Sequence, residues 1–239
     1  MDDYGKNESN SSNAPYHPKV SLVIPTLNEA TNLPYVLPQI PSLVDEVIIV
    51  DACSTDGTAE IAKKLRPDIH IVNQDSIGKG KALNLGIKKC SGDIIVVLDA
   101  DGSMRPQEIT SFIEQLRSGY DFVKGSRFLP GGGSADIPFY RFLANKLFTI
   151  LTNLLHGTKY TDLCYGYFAF WRRSFKDFEI TCDGFEIEAE INIKVKAAGL
   201  RVAEVPSFEE KRISGTGKLR SIRDGWRILR TILRPPIKD

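Results

Sequence analysis

An apolar run, Ile94-Ile95-Val96-Val97-Leu98, ends abruptly in two carboxylates, Asp99 and Asp101. Only the small Ala100 separates the two acids, so both side chains leave the end of the predicted strand close together. Two carboxylates this close repel each other unless a cation lies between them. Carboxylate oxygens combined with phosphate oxygens suit Mg²⁺ or Mn²⁺. The pattern predicts a divalent-metal site at the end of this strand, with capping of the following loop as the alternative.

Apolar segments alternate with helical patterns through the first half of the chain. The predicted strands lie at 20–24, 47–50, 69–72, 94–98 and 121–124, and the predicted helices at 59–65, 79–89 and 106–117. Apolar strands that alternate with helices indicate a mostly parallel sheet covered on both faces, an α/β fold of Rossmann-like architecture. Asn28 is predicted to cap a helix after the first strand. Ligands bind such sheets beyond the carboxyl ends of the strands, where Asp51 and Asp99 fall.

The second half of the chain has a different pattern. A glycine-rich stretch at 129–134 precedes an apolar helix with scattered basic residues at 139–155. Aromatic residues are dense at 164–171, and those from Tyr165 to Trp171 are predicted to form core and acceptor-site wall. The segments 186–198, 201–205 and 219–233 predict a helix, a strand and a basic amphipathic helix. We predict one domain over 19–234, in which 19–128 holds a nucleotide and 129–234 builds an acceptor site. The polar segment 1–18 predicts a disordered tail.

Charge and cysteine content limit the possible partners and compartment. Lysines and arginines number 31 against 30 acids, a balance that argues against a nucleic-acid partner. The four cysteines form no Cys-x-x-Cys pair, which indicates reduced thiols in a cytosolic protein. No signal peptide or uninterrupted transmembrane segment is evident. The segments 139–155 and 219–233 fit either ordinary packing or peripheral contact with the cytosolic face of a membrane.

Several ordered motifs resemble the family 2 glycosyltransferases of the GT-A fold, and most closely the dolichol- and polyprenyl-phosphate sugar synthases. The acids Asp99-Ala100-Asp101 match the DxD motif of that family. The other motifs, in order, are Val23-Ile24-Pro25-Thr26-Leu27-Asn28-Glu29, Ile49-Val50-Asp51-Ala52-Cys53-Ser54-Thr55-Asp56-Gly57-Thr58, Gly125-Ser126-Arg127-Phe128, Thr161-Asp162 with Gly166-Tyr167, Gly184-Phe185-Glu186-Ile187-Glu188, and Arg212 through Gly217-Lys218.

The resemblance implies a metal-dependent, inverting transferase that uses a UDP- or GDP-sugar, with Asp99 and Asp101 as metal ligands. It places Pro25, Thr26, Asn28, Glu29 and Asp51 on the nucleoside side of the donor, although Asp51 also fits a helix cap and Glu29 a helix-dipole partner. The expected phosphate ligands are Arg127, Arg212, Lys218 and Lys79. For the loop that carries Arg212 and Lys218, an ordinary solvated loop is the alternative, and for Lys79 a surface position at a helix start.

The acceptor is expected to be a polyprenyl-phosphate lipid, and Asp162 decides between this and a second possibility. A sugar or small-molecule hydroxyl needs a general base, for which Asp162 or Glu186 is the candidate. A lipid phosphate is already anionic, and Asp162 would then position other groups. A sugar-nucleotide pyrophosphorylase is a weaker rival, because Pro25-Thr26-Leu27-Asn28 is no glycine-rich phosphate loop. A non-catalytic scaffold of the same fold is another, opposed by the intact acids.

Three departures from the family pattern limit the prediction. Ala52-Cys53 stands where Asp-Gly is usual, so the loop near the base and ribose is expected to differ. Ser103 stands where polyprenyl-phosphate mannose synthases often carry glutamine, which weakens a mannose assignment. The Gln-x-x-Arg-Trp motif of processive synthases is absent, which argues against a polymerase. The donor sugar and the oligomeric state stay open.

Overall fold

A computed structural model of the chain describes residues 17–234. The expected tail at 1–18 therefore lies almost entirely outside the described residues. In the first half of the chain, the strands and helices follow one another as β1 (Val20–Thr26), α1 (Leu33–Val36), β2 (Glu46–Asp51), α2 (Thr58–Leu65), β3 (His70–Asn73), α3 (Lys79–Lys89), β4 (Ile94–Val97), α4 (Ile109–Arg117) and β5 (Phe122–Ser126). The predicted helix at 106–117 begins with a 3₁₀ turn, Pro106–Glu108.

The second half adds β6 (Gly133–Ser134), α5 (Phe139–His156), β7 (Phe168–Trp171), α6 (Ile187–Ala197), β8 (Val202–Pro206), β9 (Phe208–Glu209) and α7 (Ser221–Leu233). Seven strands form one sheet in the order β3-β2-β1-β4-β7-β5-β8, and β6 pairs with β9 in a small second sheet. The prediction of a mostly parallel α/β sheet is confirmed. The exception is β7, which runs antiparallel to both β4 and β5.

The sheet carries an apolar core on each face. Along β1, Leu22 and Ile24 point into one core cluster and Val23 points into the other, as strand alternation requires. Helices α1, α2 and α4 cover the first face, and α3 and α6 cover the second. A third cluster lies where α5, α6 and α7 meet around Ile193, Ile228 and Ile232. Within residues 17–234, no helix is both long and apolar enough to cross a membrane.

Two local predictions need correction or refinement. Asn28 does not cap a helix, because α1 begins only at Leu33, with Asn32 in the cap position. Asn28 instead adopts a positive φ of 54° in a loop, and its side-chain oxygen accepts a hydrogen bond from the Thr55 amide at 2.8 Å. Asparagine is among the few residues that tolerate this backbone conformation. The aromatic segment at 164–171 was predicted as core and acceptor-site wall, and its second half forms the interior strand β7, in which Phe168 and Phe170 are buried.

Candidate functional site

The carboxyl ends of β1, β2 and β4 meet at one edge of the sheet. Thr26 at the end of β1 lies opposite Asp51 at the end of β2, and the Thr26 hydroxyl donates to the Asp51 carboxylate at 2.9 Å. The carboxylate also accepts hydrogen bonds from the amide and hydroxyl of Ser54, at 2.9 and 2.6 Å. Asp51 is seven residues from the start of α2 and does not cap it. Pro25 precedes Thr26 in β1, opposite Val50.

Asp99 and Asp101 lie just past β4, at the same edge. Their side chains are one-quarter and about one-eighth exposed, at 26% and 13%, and Ala100 between them is buried. The Asp101 carboxylate accepts a hydrogen bond from the Ser103 amide at 2.9 Å. Ser103 therefore uses its backbone amide to orient this acid. The two predicted metal ligands thus both follow the end of β4, and each is paired with a cation of the protein, Asp99 with Lys79 and Asp101 with Arg212.

Lys79 bridges Asp99 to α6. Its ammonium group donates to the Asp99 carboxylate at 2.9 Å and to the Glu188 carboxylate at 3.1 Å. Burial by itself lowers the pKa of Lys79, but the two carboxylates outweigh it, and the pKa lies above its ordinary value. Lys79 is therefore charged at neutral pH, and it is not a surface lysine. Glu188 received no role from the sequence, although it belongs to the quoted Gly184–Glu188 motif.

The basic loop between β9 and α7 reaches across to the same site. Arg212 forms ion pairs with Asp101 at 2.5 Å and with Glu29 at 3.6 Å. The Lys218 ammonium lies 2.6 Å from the Glu29 carboxylate and also donates to the carbonyl of Leu27. Glu29 is only 6% exposed. This loop is therefore held over the strand ends by its cations, and it is not an ordinary solvated loop.

Arg127, which follows β5, and Asp162, in the segment between α5 and β7, form a buried pair. The Asp162 carboxylate accepts from the Nε and Nη2 atoms of Arg127 at 2.7 and 3.0 Å, and from Asn145 at 2.7 Å. The remaining guanidinium nitrogen of Arg127 donates to both oxygens of Glu209 at 3.1 Å. Asp162 is completely buried and Arg127 is 7% exposed.

The electrostatics of this pair favour a structural role. Burial raises the pKa of Asp162, but the Arg127 guanidinium and the hydrogen bonds to the charged form outweigh it, so the pKa lies below its ordinary value. An ionised carboxylate with no solvent exposure and both oxygens bonded is poorly placed to accept a substrate proton. All three guanidinium nitrogens of Arg127 donate to protein acceptors. Its role as a phosphate ligand stays a prediction. Asn145 and Glu209 complete this network and carried no signal that the sequence analysis used.

Comparisons with known proteins concern the family and the fold. The family model described as Glycosyl transferase family 2 matches residues 21–178. A relative named Glycosyltransferase AglJ, from Haloferax volcanii, is 33% identical over 221 residues, which cover 90% of this chain and 71% of the relative. A relative named Dolichol-phosphate mannosyltransferase, from Pyrococcus furiosus, is 35% identical over 84% of this chain, which spans only 59% of that relative.

A solved structure shares the fold. Glucosyl-3-phosphoglycerate synthase from Mycobacterium tuberculosis, in complex with Mn²⁺, uridine diphosphate and glucosyl-3-phosphoglycerate, matches with a TM-score of 0.69. The two sequences are 23% identical, and the match covers 90% of this chain and 79% of the other. At this identity the similarity shows a common fold and no more.

Proposed function

Because the chain belongs to glycosyltransferase family 2 and has the GT-A fold, we propose that it transfers a sugar from a nucleoside diphosphate sugar to the phosphate of a polyprenyl-type lipid. The donor occupies the sheet edge formed by Thr26, Asp51 and the Asp99/Asp101 pair. The acceptor lies in the half built from residues 129–234. Relatives named Dolichol-phosphate mannosyltransferase and Polyprenol monophosphomannose synthase support this acceptor class.

The observation that carries the acceptor assignment is the burial of Asp162. Transfer to a hydroxyl requires a group that removes its proton in the transition state. Asp162 has no solvent exposure, and its oxygens are bonded to Arg127 and Asn145. A phosphate monoester is already anionic near neutral pH and needs no such base. The acceptor half is therefore better suited to an anionic nucleophile than to an alcohol.

The proposed reaction is a single displacement with inversion. A phosphate oxygen of the acceptor forms a bond to C1 of the sugar while the bond from C1 to the donor diphosphate breaks. The nucleoside diphosphate leaves with the electron pair, so negative charge grows on its terminal phosphate. Arg212 and Lys218, both on the loop held over the site, are placed to stabilise this charge. Asp51 and Thr26 bind on the nucleoside side.

The residues at the strand end fit a divalent cation. Mg²⁺ and Mn²⁺ commonly take one or two protein carboxylates and complete their coordination with substrate phosphates and water. Asp99 and Asp101 supply two carboxylates at the donor edge, and among residues 17–234 no cluster of three or more His, Cys, Asp or Glu residues could hold a metal by itself. When bound, the cation would neutralise charge on the diphosphate. Lys79 and the Ser103 amide orient these two acids.

The acceptor class is tested with two acceptors that differ in one group. A short polyprenyl phosphate and the matching polyprenol have the same hydrocarbon chain, so only the nucleophile changes. Each is incubated with UDP-glucose, UDP-N-acetylglucosamine or GDP-mannose and Mn²⁺, and the products are identified by mass spectrometry. We expect a glycosylated lipid phosphate with one donor and no product from the polyprenol. Transfer to the polyprenol alone would refute the proposal.

Glu186 is the other candidate for a general base, and a second test addresses it. One of its carboxylate oxygens is buried without a hydrogen-bond partner in the described part of the chain, and Arg227 lies 4.0 Å away. A hydroxyl-directed enzyme with Glu186 as base predicts that Glu186→Gln loses nearly all transfer. A phosphate-directed enzyme predicts that transfer persists. The pH dependence of the residual rate separates loss of a base from a structural effect.

A further inference from the structure

Helix α5 has its polarity reversed relative to an ordinary surface helix. Its buried residues are Asn145, Thr149 and Thr152, all polar. Phe148 and Leu151 pack against the third core cluster, but five other large apolar residues lie on the outside. These five are 50–76% exposed and follow one another at helical spacings of three or four residues. This exposed apolar stripe consists of Phe139, Leu143, Leu147, Ile150 and Leu154.

Hydrogen bonds explain why the polar side of α5 faces inward. Asn145 donates to Asp162, and its side-chain oxygen accepts from the Cys164 amide at 3.0 Å. The Thr149 hydroxyl accepts from the Leu163 amide at 3.2 Å. These bonds fix the rotation of the helix with Asn145 and Thr149 inward, so the stripe that begins at Phe139 faces outward. A surface helix that exposes its apolar side marks a contact with another molecule.

Helix α7 lies beside α5 and extends the apolar surface. Its inner residues Ile228 and Ile232 pack in the third core cluster with α5 and α6. On its outer side Ile222, Trp226 and Leu233 are 83%, 69% and 61% exposed. A groove of about 530 Å³ follows this side of the helix, lined by Trp226, Arg227, Leu229, Arg230, Leu233 and Arg234. We call the exposed residues of both helices the α5–α7 surface.

The charges at this surface have one sign. Helix α5 contains no acidic residue, and the single acid of α7, Asp224, is buried and accepts from the Arg220 amide at 2.7 Å. Arg223, Arg230 and Arg234 are exposed. Apolar and indole side chains bordered by arginines match the interfacial region of a bilayer that contains anionic lipids. A second protein copy would bring its own arginines against these.

We propose that the α5–α7 surface docks on an anionic lipid bilayer. This inference deepens the proposed function, because it states where the membrane that holds a lipid acceptor would lie. The start of α5 contacts the start of α7, with Tyr140 and Ser221 hydroxyl oxygens 3.5 Å apart. Ser221 follows Lys218 by three residues, and Lys218 reaches Glu29 in the donor site. Docking therefore brings lipid phosphates next to the loop that covers that site.

Vesicle binding by the full chain tests the proposal without requiring transfer. Vesicles of phosphatidylcholine with about 30% phosphatidylglycerol, and vesicles of phosphatidylcholine alone, are sedimented with the protein. Neither contains a polyprenyl phosphate. We expect binding to the anionic vesicles and a partition coefficient about tenfold lower on the neutral ones. Leu147→Gln/Leu154→Gln, on the exposed stripe, is expected to lower binding to anionic vesicles about tenfold or more.

Matched variants separate the apolar, charge and folding contributions. Tyr35→Gln removes an apolar side chain of similar exposure, 56%, from α1 and is expected to bind as the parent does. Arg223→Gln/Arg230→Gln tests the charge, and we expect weaker binding to anionic vesicles with little change on neutral ones. Circular dichroism melting confirms that each variant is folded. Unchanged binding by the folded leucine variant would overturn the proposal.

Two further outcomes would also overturn docking. If the parent binds no vesicles and is a dimer in analytical ultracentrifugation, whereas the leucine variant is a monomer, the surface is assigned to a second copy of the chain. Absence of vesicle binding by a chain that transfers sugar to a water-soluble short-chain polyprenyl phosphate would refute docking and leave the proposed function standing. Vesicle binding without any transfer would instead refute the proposed function alone.

Discussion

Replacement of Asp162 by asparagine is predicted to destabilise the fold before it affects chemistry. The carboxylate accepts four hydrogen bonds: from the Arg127 amide, Nε and Nη2 at 3.1, 2.7 and 3.0 Å, and from Asn145 at 2.7 Å. Asparagine has only one side-chain oxygen, so its NH₂ group would face hydrogen-bond donors. Arg127 would also lose the negative charge that balances it in the interior. Removal of one partner of a buried pair costs about 3–5 kcal/mol. Because Glu209 still pairs with Arg127, we expect a loss near the lower limit.

Urea unfolding followed by circular dichroism measures this loss. The double variant Asp162→Asn/Arg127→Met should lose less than the sum of the two single variants, because it removes both buried charges. Asp68→Asn, which breaks the exposed pair with Arg66, is the control and should leave the unfolding midpoint unchanged. An Asp162→Asn protein with parental stability and no transfer activity would refute the structural assignment and favour Asp162 as the general base.

The same residue predicts a dependence of stability on pH. The folded pKa of Asp162 lies below its ordinary value of 3.8. Its contribution to stability is therefore complete above that ordinary value and is lost as the pH falls through the lower folded pKa. The parent should lose stability over this acid range, and Asp162→Asn should lack that part of the loss. Unfolding free energies measured at a series of acid pH values test the difference.

Three further substitutions probe the loops at the site. Gly102→Ala, at a φ of +79°, places a methyl group 2.3 Å from the Ile213 side chain, so it should displace the basic loop and increase tryptic cleavage there. Gly157→Ala is the matched control, because Gly157 has a similar φ of +64° but open space around it. Gly80→Ala places its methyl group 2.2 Å from a backbone carbonyl oxygen and should lower the melting temperature. Arg212→Gln should weaken nucleotide binding in calorimetry about tenfold, because it removes one of the proposed phosphate ligands.

The parallel half of the sheet was predictable because its strands are short apolar runs separated by helices. Antiparallel β7 was not, although its aromatic residues were predicted to be buried. A strand buried on both faces gives no signal of direction, since its side chains are apolar whichever way it runs. Its place between β4 and β5 depends on long-range pairing, Val97 with Phe168 and Lys124 with Phe168. Local sequence carries no information on such a register.

The candidate site was predictable to a different extent. Residues at strand ends, such as Asp51 and Asp99, were placed correctly at one sheet edge because parallel strands bring their carboxyl ends together. The partners of charged residues were not predictable. Lys79 was expected to face a diphosphate, whereas the structure pairs it with Asp99 and with Glu188, which is 109 residues away in the chain. Such pairs form only when distant helices pack on the same sheet.

The charge balance of the donor site predicts how donor and metal ions affect each other. Ion pairs of 2.5–3.6 Å form two sets there, Lys79 with Asp99 and Glu188, and Arg212 and Lys218 with Glu29 and Asp101. Four carboxylates and three cations give these two sets a combined net charge of about −1, and a diphosphate donor adds about two negative charges, so a divalent cation should favour donor binding. Linkage requires the donor to strengthen Mn²⁺ binding by the same factor.

Nucleotide titrations with and without Mn²⁺ give one factor, and Mn²⁺ titrations with and without nucleotide give the other. The two factors should be equal in the parent, and both should be near one in Asp99→Asn. Equal nucleotide affinities with and without Mn²⁺ in the parent would refute a metal site at these acids.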